Sequence, residues 1–286
     1  MEIRLGSRIL DLSSPIVMGV LNVTPDSFSD GGNLFSDNGL SIDHDAAMRQ
    51  VDIMQKAGAM IIDVGGESTR PGAERVSESE EIDRVVPIIE IISDRSDIAI
   101  SIDTNKPAVM HAAVEAGASM INDIYALRQE GAMEAALELD VAICLMHMQG
   151  EPCMMQDQPN YQDIPGDILE FMSRRLEACH SSGISLDRIV IDPGFGFGKT
   201  HQHNVQLLAN LEQFQKFEVP LLIGLSRKST LGYLTGKGVD NRLSSGISAA
   251  VIAVQRGANI VRTHDVESTV DALKIAHAVM QVGKDQ

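Results

Sequence analysis

The sequence predicts a single (β/α)8 barrel of the TIM type, with its active site at the carboxyl ends of the strands. Three observations predict this fold. The chain has 286 residues, which suits one barrel of about 250 residues. Eight short runs rich in Val and Ile alternate with longer amphipathic stretches. No linker, low-complexity tract or charge block interrupts the alternation, so we expect residues 1–286 to form one domain.

The eight runs predict parallel strands, because they are apolar and are separated by helical patterns. An open, doubly wound sheet usually has fewer strands, so eight units favour closure into a barrel. In chain order the runs are residues 15–22, 60–65, 98–103, 119–123, 142–147, 188–192, 220–225 and 259–264.

Between the runs lie helical patterns, for example at residues 42–57, 78–93, 107–116, 168–181, 242–255 and 267–280. Residues 103–107 (DTNKP) offer capping side chains and a proline that fits a first helical turn. Gly117 and Gly257 follow helical runs, where a left-handed residue is expected.

Polar side chains end the runs, and in a barrel these ends meet at one rim. They are Asn22, Asp63, Asp103, Asn122, Asp123, His147, Asp192, Ser226, Arg227, Lys228, Arg262 and His264. Capping of the next helix explains Asp, Asn and Ser at such places. It does not explain cations, which oppose the helix dipole there. The cations therefore indicate a site.

Composition and charge argue against some classes of binding partner. The net charge of −17 argues against nucleic acid, which requires a basic face. No apolar stretch approaches the about 18 residues of a membrane span, and the amino terminus has no apolar signal core. The three cysteines contain no CxxC pair, which fits a reducing compartment. We expect a cytoplasmic protein that binds neither nucleic acid nor membrane.

Several catalytic motifs are absent. Residues 194–200 (GFGFGKT) invite a phosphate-loop interpretation, but Pro193 stands where that motif needs glycine. We expect this glycine-rich turn, with its two aromatic residues, to form a wall against a flat ligand. The chain has no HExxH zinc motif, and residues 226–229 lack the GxSxG context of a serine nucleophile.

The rim residues instead suit a heterocycle that carries phosphate. Asp103, Asn122 and Asp192 offer acceptors for a planar ring with several N–H donors. The cationic donors for an anion are Arg70, Lys228, Arg262 and His264. The amide oxygen of Asn22 suits a hydrated Mg²⁺ that bridges phosphate oxygens.

Several segments resemble signatures of the dihydropteroate synthase family of pterin-binding enzymes. Residues 18–32 (MGVLNVTPDSFSDGG) are similar to its first signature, and residues 62–72 (IDVGGESTRPG) are similar to its second. Further matches lie at residues 101–104, 121–124, 146–150, 192–199, 224–229 and 262–265. They run from the first strand to the eighth in the order of the family.

The resemblance implies a transferase of folate biosynthesis. It would condense (7,8-dihydropterin-6-yl)methyl diphosphate with 4-aminobenzoate, giving 7,8-dihydropteroate and diphosphate. The resemblance also implies Mg²⁺ as cofactor, a homodimer, and two mobile loops, after the first and second strands, that close over the substrates. The family is the target of sulfonamides.

Carried over by position, the resemblance assigns roles to single residues. The pterin ring would lie against Asp103, Asn122, Asp192 and Lys228, in a slot lined by Met146, Phe197 and Gly224. The diphosphate would be held by Arg262, Thr263 and His264, with Asn22 as a ligand of Mg²⁺. The 4-aminobenzoate side would be formed by Phe28, Thr69, Arg70, Pro71 and Ser226. The catalytic residues would be Asp103, Lys228 and Arg262.

We expect an SN1-like course, in which Asp103 stabilises a cationic methylene while the diphosphate leaves. Two alternatives remain at this point. A pterin-binding methyltransferase domain would share the barrel, but it would not need the loop signatures at residues 26–32 and 68–72. A non-catalytic paralogue would bind pterin without catalysing the reaction.

Overall fold

The computed structural model describes residues 1–24, 43–68, 75–150, 154–156 and 159–282. The strands are β1 (Glu2–Leu5), β2 (Arg8–Asp11), β3 (Ile16–Asn22), β4 (Ile61–Gly65), β5 (Ala99–Asp103), β6 (Met120–Asp123), β7 (Ala142–Met146), β8 (Ile189–Asp192), β9 (Leu222–Gly224) and β10 (Ile260–Thr263). The helices are α1 (His44–Lys56), α2 (Glu78–Arg95), α3 (Pro107–Glu115), α4 (Ala132–Leu139), α5 (Ile164–Ser181), α6 (His201–Ala209), α7 (Ser229–Thr235), α8 (Leu243–Gln255) and α9 (Val266–Val282).

Strands β3 to β10 form one parallel sheet that closes into a barrel. Its order is β8-β7-β6-β5-β4-β3-β10-β9, so the chain winds round the sheet from strand to neighbouring strand. A parallel bridge between Ile191 and Leu221 joins β8 to the residue before β9 and closes the ring. The predicted (β/α)8 fold is confirmed.

The strands are apolar on both faces because each face meets a different core. Val17 and Ile62 point outward into the main core, which lies between the sheet and the helices. Met18 and Ile61 point inward to a second core at the amino ends of the strands. The β1–β2 hairpin, which the run pattern did not predict, adds Ile3 to this inner core and covers that end of the barrel.

The helix ends agree with the sequence in part. Gly117 and Gly257 follow α3 and α8 with φ angles of 121° and 101°, as their positions predict. Proline 107 opens α3, also as predicted. The prediction of a side-chain cap for α3 is wrong, because Lys106 occupies the N-cap position and makes no capping hydrogen bond. The carboxylate of Asp103, one of the candidate caps, instead points to the barrel interior, where it accepts a hydrogen bond from Arg262.

Two described cysteines, Cys144 and Cys179, are buried free thiols. Burial raises the pKa of Cys144 well above its usual value and that of Cys179 to about 11, so both stay protonated at neutral pH. Within the described ranges, no helix combines the length and the apolar character that crossing a bilayer requires.

Candidate active site

The carboxyl ends of the strands bring together polar side chains that lie far apart in the sequence. Asp103 and Asp192 are the last residues of β5 and β8, and Arg262 is the third residue of β10. In the parallel register Asp103 pairs with Asn122, and Arg262 pairs with Gly224. Alternate residues of a strand share one face, so these five residues lie on the interior side, above the inner core.

Arg262 is the centre of an ion-pair network that spans three strands. Its Nε donates to Oδ2 of Asp63 over 2.6 Å, and its Nη2 donates to Oδ2 of Asp103 over 3.0 Å. Asp63 is fully buried and also accepts a 3.1 Å hydrogen bond from Nδ2 of Asn122. Asp63 therefore orients both Arg262 and Asn122. The sequence predicted Asp63 at a strand end, whereas it is the third of the five residues of β4, and no sequence pattern indicated this role.

Burial sets the charge state of this network. Burial, together with the carboxylate of Asp63, raises the pKa of Asp103 to about 7, while Arg262 acts in the opposite direction. Burial disfavours the charged form of Arg262, but Asp63 and Asp103 outweigh that effect and raise its pKa. Arg262 therefore stays cationic at neutral pH, whereas Asp103 titrates near neutrality.

Asp192 and Lys228 form a second pair of opposite charges at the mouth. Oδ1 of Asp192 accepts a 2.7 Å hydrogen bond from the amide of Gly194, and burial raises the pKa of this carboxyl group against the effect of Lys228. Burial lowers the pKa of Lys228 to about 8, although Asp192 opposes the shift. The Nζ of Lys228 donates to the carbonyl oxygen of Phe195 and lies 4.5 Å from the centre of the Phe197 ring.

An apolar cluster lies beside these charges. Its buried members are Ile124, Tyr125, Met146, Met148 and Met155. Met146 ends β7, and the half-buried ring of Phe197 packs against the cluster. An apolar wall next to a few fixed donors and acceptors suits a planar heterocycle.

The glycine-rich turn packs against protein rather than against a ligand at its first glycine. A Cβ added at Gly194 would overlap the carbonyl oxygen of His147. Phe195 is 1% exposed and belongs to the main core. The expectation of two aromatic wall residues is therefore wrong for Phe195, because its ring packs into the main core between the sheet and the helices. Phe197 lies at the mouth, as expected.

Two other strand-end side chains serve the backbone close to them. Asp123 accepts hydrogen bonds of 2.8 and 2.7 Å from two amides of the following loop, and burial raises its pKa to about 6. Thr263 lies on the outward side of β10, where its hydroxyl accepts a 3.1 Å hydrogen bond from the amide of Asp265. These two side chains stabilise the loops that follow their strands, but neither caps the next helix, since the N-cap of α4 is Gly131 and Thr263 binds the amide of Asp265 before α9 begins. Capping does not explain Asp103 either, because its carboxylate binds Arg262.

Side-chain contacts join the loops that follow β9 and β10. Nδ1 of His264 lies 3.1 Å from Oγ of Ser226, which also accepts a 3.3 Å hydrogen bond from the amide of His264. Nη2 of Arg227 lies 2.9 Å from Oδ1 of Asp265. Arg227 has a left-handed φ of 58°, which is uncommon for a residue with a Cβ. These contacts fix the positions of two predicted binding residues, Ser226 and His264.

Asn22, the predicted magnesium ligand, ends β3 at the same rim. A Cβ added at Gly65 would lie 3.6 Å from Oδ1 of Asn22 and 3.9 Å from Oδ2 of Asp103, so both oxygens face the same interior space. A cavity beside Asn22 also touches His264 and the first turn of α9. A neutral amide oxygen beside open space fits Mg²⁺, which keeps several waters and takes further oxygens from phosphates.

Part of the predicted 4-aminobenzoate site lies outside the described residues, namely Phe28, Thr69, Arg70 and Pro71. The described residues on either side of positions 69–74 are tied together. Oε1 of Glu67 accepts a 3.0 Å hydrogen bond from the amide of Val76. Nζ of Lys106 donates to Oε2 of Glu67 over 2.9 Å and to the carbonyl oxygen of Val76 over 2.7 Å. The half-buried Lys106 thus joins the described residues on the two sides of this segment.

Comparison with known proteins gives the family. The sequence profile of the pterin binding enzymes matches residues 18–264. The dihydropteroate synthase of Escherichia coli (strain K12) is 48% identical over 277 residues, which cover 97% of this chain and 96% of that protein. The chain belongs to the dihydropteroate synthase family.

Solved structures of the family share the fold. A crystal structure of the Yersinia pestis enzyme with a sulfonamide drug has a TM-score of 0.92 at 48% identity, and the match covers 98% of this chain and 100% of that one. A structure of the Xanthomonas albilineans enzyme with 4-aminobenzoic acid has a TM-score of 0.89 at 45% identity, covering 98% of each chain. The resemblance seen in the sequence is therefore confirmed.

Family membership decides between the activities that the sequence left open. The protein is a transferase of folate biosynthesis. The relatives compared above are named as synthases, which supports the synthase and not the methyltransferase or the non-catalytic paralogue.

Proposed function

We propose that the protein condenses (7,8-dihydropterin-6-yl)methyl diphosphate with 4-aminobenzoate and releases 7,8-dihydropteroate and diphosphate. The observation that carries this proposal is the meeting of Asp103, Asn122, Asp192, Lys228 and Arg262 at one mouth of the barrel. The Xanthomonas albilineans relative was solved with 4-aminobenzoic acid, which supports the same second substrate here.

In this proposal the pterin binds between the charged pairs and the apolar cluster. Asp192 and Asn122 supply acceptors for the ring N–H groups, and Lys228 supplies a donor. Met146 and Phe197 cover the face of the ring, since both lie at the apolar wall. Gly224 leaves room beside Arg262, because a Cβ added there would already touch the Arg262 side chain at 3.8 Å.

The diphosphate would bind to Arg262 and His264, and to the main chain of Thr263. Arg262 is bound to two carboxylates in this structure, so the diphosphate would compete with Asp103 for the guanidinium. That exchange leaves Asp103 free to face the pterin. Asn22 would hold Mg²⁺ at the phosphate oxygens, where the ion would supply positive charge to the leaving group.

We propose an SN1-like reaction. As the bond from the methylene carbon to the diphosphate oxygen breaks, its electron pair leaves with the diphosphate, and Arg262 stabilises the growing negative charge. The methylene carbon becomes cationic in conjugation with the pterin, and the carboxylate of Asp103 stabilises it. The amine of 4-aminobenzoate then forms the new C–N bond and loses a proton. The 4-aminobenzoate would lie toward Ser226 and toward Phe28, Thr69, Arg70 and Pro71.

Two measurements test this function. During steady-state turnover, diphosphate release should require both substrates and should match dihydropteroate formation mole for mole; sustained diphosphate release without dihydropteroate formation, or methyl transfer instead, would reject the synthase. Deuterium on the methylene should give a clearly normal secondary isotope effect on the chemical step. An effect near unity would indicate direct displacement instead of the SN1-like course.

We also propose that the protein is a homodimer that works in the cytoplasm, where its cysteines would stay reduced. Helix α9 exposes Ile275, Val279 and Val282 at a spacing that places them on one face, and Ile252 is exposed on the neighbouring α8. Exposed apolar patches of this kind often form protein interfaces. Sedimentation should give a dimer for the natural chain and a monomer for Ile275→Glu/Val279→Glu. A natural chain that sediments as a monomer would contradict the dimer.

A further inference from the structure

Lys199 is a buried lysine that the proposed reaction does not use. It is 2% exposed and follows the glycine-rich turn. Its Nζ donates to the carbonyl oxygens of Gly194 over 2.8 Å and Phe197 over 3.0 Å, and it lies 2.9 Å from Nδ1 of His147. The carbonyl oxygen of His147 lies 3.4 Å from the same Nζ. Burial lowers the pKa of Lys199 well below its usual value, and these hydrogen bonds supply partners for the buried amino group.

The imidazole of His147 can accept a hydrogen bond from Lys199. Burial, with the nearby positive charge of Lys199, lowers the pKa of His147 to about 2, so the imidazole is neutral and its Nδ1 can take a hydrogen bond. The ring is fixed in place by an edge-on contact with Phe171 at 4.8 Å between centroids. Lys199 therefore joins the segment after β7 to the turn after β8.

The glycine-rich turn can pack against the segment after β7 only because two of its positions are glycine. Gly194 and Gly198 have left-handed φ angles of 71° and 62°. A Cβ at Gly194 would overlap the carbonyl oxygen of His147, and a Cβ at Gly198 would overlap that of Gln149. The two stretches of main chain are therefore in direct contact. Lys199 bonds across this contact from the turn, and two side chains bond across it from the segment after β7: the hydroxyl of Tyr161 donates to the carbonyl oxygen of Gly198 over 2.8 Å, and Nε2 of Gln156 donates to that of Gly196.

The opposite side of the glycine-rich turn contacts the residues that are proposed to bind the pterin. The carbonyl oxygen of Phe195 accepts from Lys228, and the ring of Phe197 lies 4.5 Å from the Nζ of Lys228. The amide of Gly194 donates to Asp192 over 2.7 Å. The turn thus sets the positions of a donor, an acceptor and a wall residue of the pterin slot.

We propose that Lys199 is a positioning residue for the pterin slot, which acts through the glycine-rich turn without touching substrate. Through these hydrogen bonds its amino group holds the turn against the main chain after β7. The turn keeps Lys228, Phe197 and Asp192 in place. This inference rests on the proposed assignment of that slot to the pterin.

The test compares Lys199→Met, which keeps the length but removes the donors, with Lys199→Gln, which keeps an N–H donor. The KM for the pterin diphosphate, at saturating 4-aminobenzoate, should rise about tenfold or more in Lys199→Met and less in Lys199→Gln. The KM for 4-aminobenzoate should change less than about twofold in both variants. The Gln variant also decides the question if the Met variant does not fold.

Arg188→Met is the matched control. Arg188 is also 2% exposed and donates to main-chain carbonyls, those of Val141 and Ala136, but it lies beside the amino end of β8. This variant should lose thermal stability without a change in either KM. If Lys199→Met and Arg188→Met lose stability alike and both keep the natural KM for the pterin, Lys199 is merely structural and the inference is wrong.

Asp192→Ala separates this inference from the proposed function. Weaker pterin binding by Asp192→Ala with a natural KM in both Lys199 variants would overturn the positioning role alone. Natural pterin binding by Asp192→Ala would overturn the slot itself.

Discussion

The two ends of the barrel bury polar groups in different ways. At the amino end, Arg188 donates to the carbonyl oxygens of Val141 over 2.8 Å and Ala136 over 2.6 Å, and it lies 3.2 Å from a carboxylate oxygen of Asp140. Arg4 of the hairpin binds the same Asp140 with two 3.0 Å hydrogen bonds. Each of these three charged side chains has a partner, as expected of a structural network.

The carboxyl end is less completely satisfied. Within the described part of the chain, Asp63, Glu81 and Ser101 each bury a side-chain oxygen that has no hydrogen-bond partner in the protein. Asp63 and Ser101 are paired in the β4–β5 register, and Glu81 belongs to the first turn of the helix after β4. Natural proteins depart from full satisfaction mainly at functional sites. The contrast indicates that the amino end serves stability and the mouth serves binding.

The largest effect on activity should come from Arg262→Ala. Removal of the guanidinium takes away two or more charge-assisted hydrogen bonds to the leaving group, each worth about 1.5–3 kcal/mol. We therefore expect kcat/KM to fall by about 100-fold or more. Steady-state kinetics beside thermal unfolding checks this. A variant that only melts earlier, with natural kcat/KM, would make Arg262 a structural residue like Arg188.

The second largest effect should come from Asp192→Ala, which should weaken pterin binding. The N–H donors of the pterin would lose their acceptor, at a cost of about 1–3 kcal/mol in binding. Calorimetric titration with the pterin diphosphate measures this directly. Asp140→Ala, at the amino end, is the control and should bind the pterin as the natural protein does. Equal affinities for all three proteins would remove the pterin assignment.

The third prediction concerns pH. Burial lowers the pKa of Lys228 to about 8, with Arg262 acting in the same direction and Asp192 and Asp103 opposing. The charged form is present below this pKa, so pterin affinity should decline as pH rises through about 8. Lys228→Arg keeps its charge and should lose this decline. Should the arginine variant show the same decline, another group is responsible.

The smallest effect should come from Ser101→Ala. The hydroxyl of Ser101 is fully buried without a partner in the protein, so its removal should change the free energy of unfolding by less than about 0.5 kcal/mol, or should stabilise the fold. Thr263→Val removes a hydroxyl that has partners and should cost about 1 kcal/mol. Urea unfolding compares the two. A larger loss for Ser101→Ala would contradict the account of the mouth.

The sequence predicted the barrel and most of the mouth for one physical reason. Parallel strands with helices between them place all their carboxyl ends together, so Asp103, Asp192 and Arg262 could be grouped without coordinates. Asp63 was also expected at a strand end, but it lies in the middle of β4, and its hydrogen bond to Arg262 joins residues 199 positions apart. A partnership of that kind depends on register and side-chain direction, which no local pattern contains.

Other features were missed for local reasons. The β1–β2 hairpin has strands of four residues each, too short for a clear alternation. The segment 103–107 contains three capping residue types, yet Asp103 is directed inward by its charge partner. The glycine-rich turn was expected to meet a ligand, whereas Gly194 meets the main chain of His147. In the last two cases a tertiary contact outweighs the local preference.

The most direct measurement is a crystal structure of the protein with the pterin diphosphate and Mg²⁺, in the absence of 4-aminobenzoate. We predict that the pterin ring contacts Asp192, Asn122 and Lys228, and that the diphosphate contacts Arg262 and His264 near Asn22. A ligand bound elsewhere, with Arg262 still engaged only by Asp63 and Asp103, would contradict the central claim.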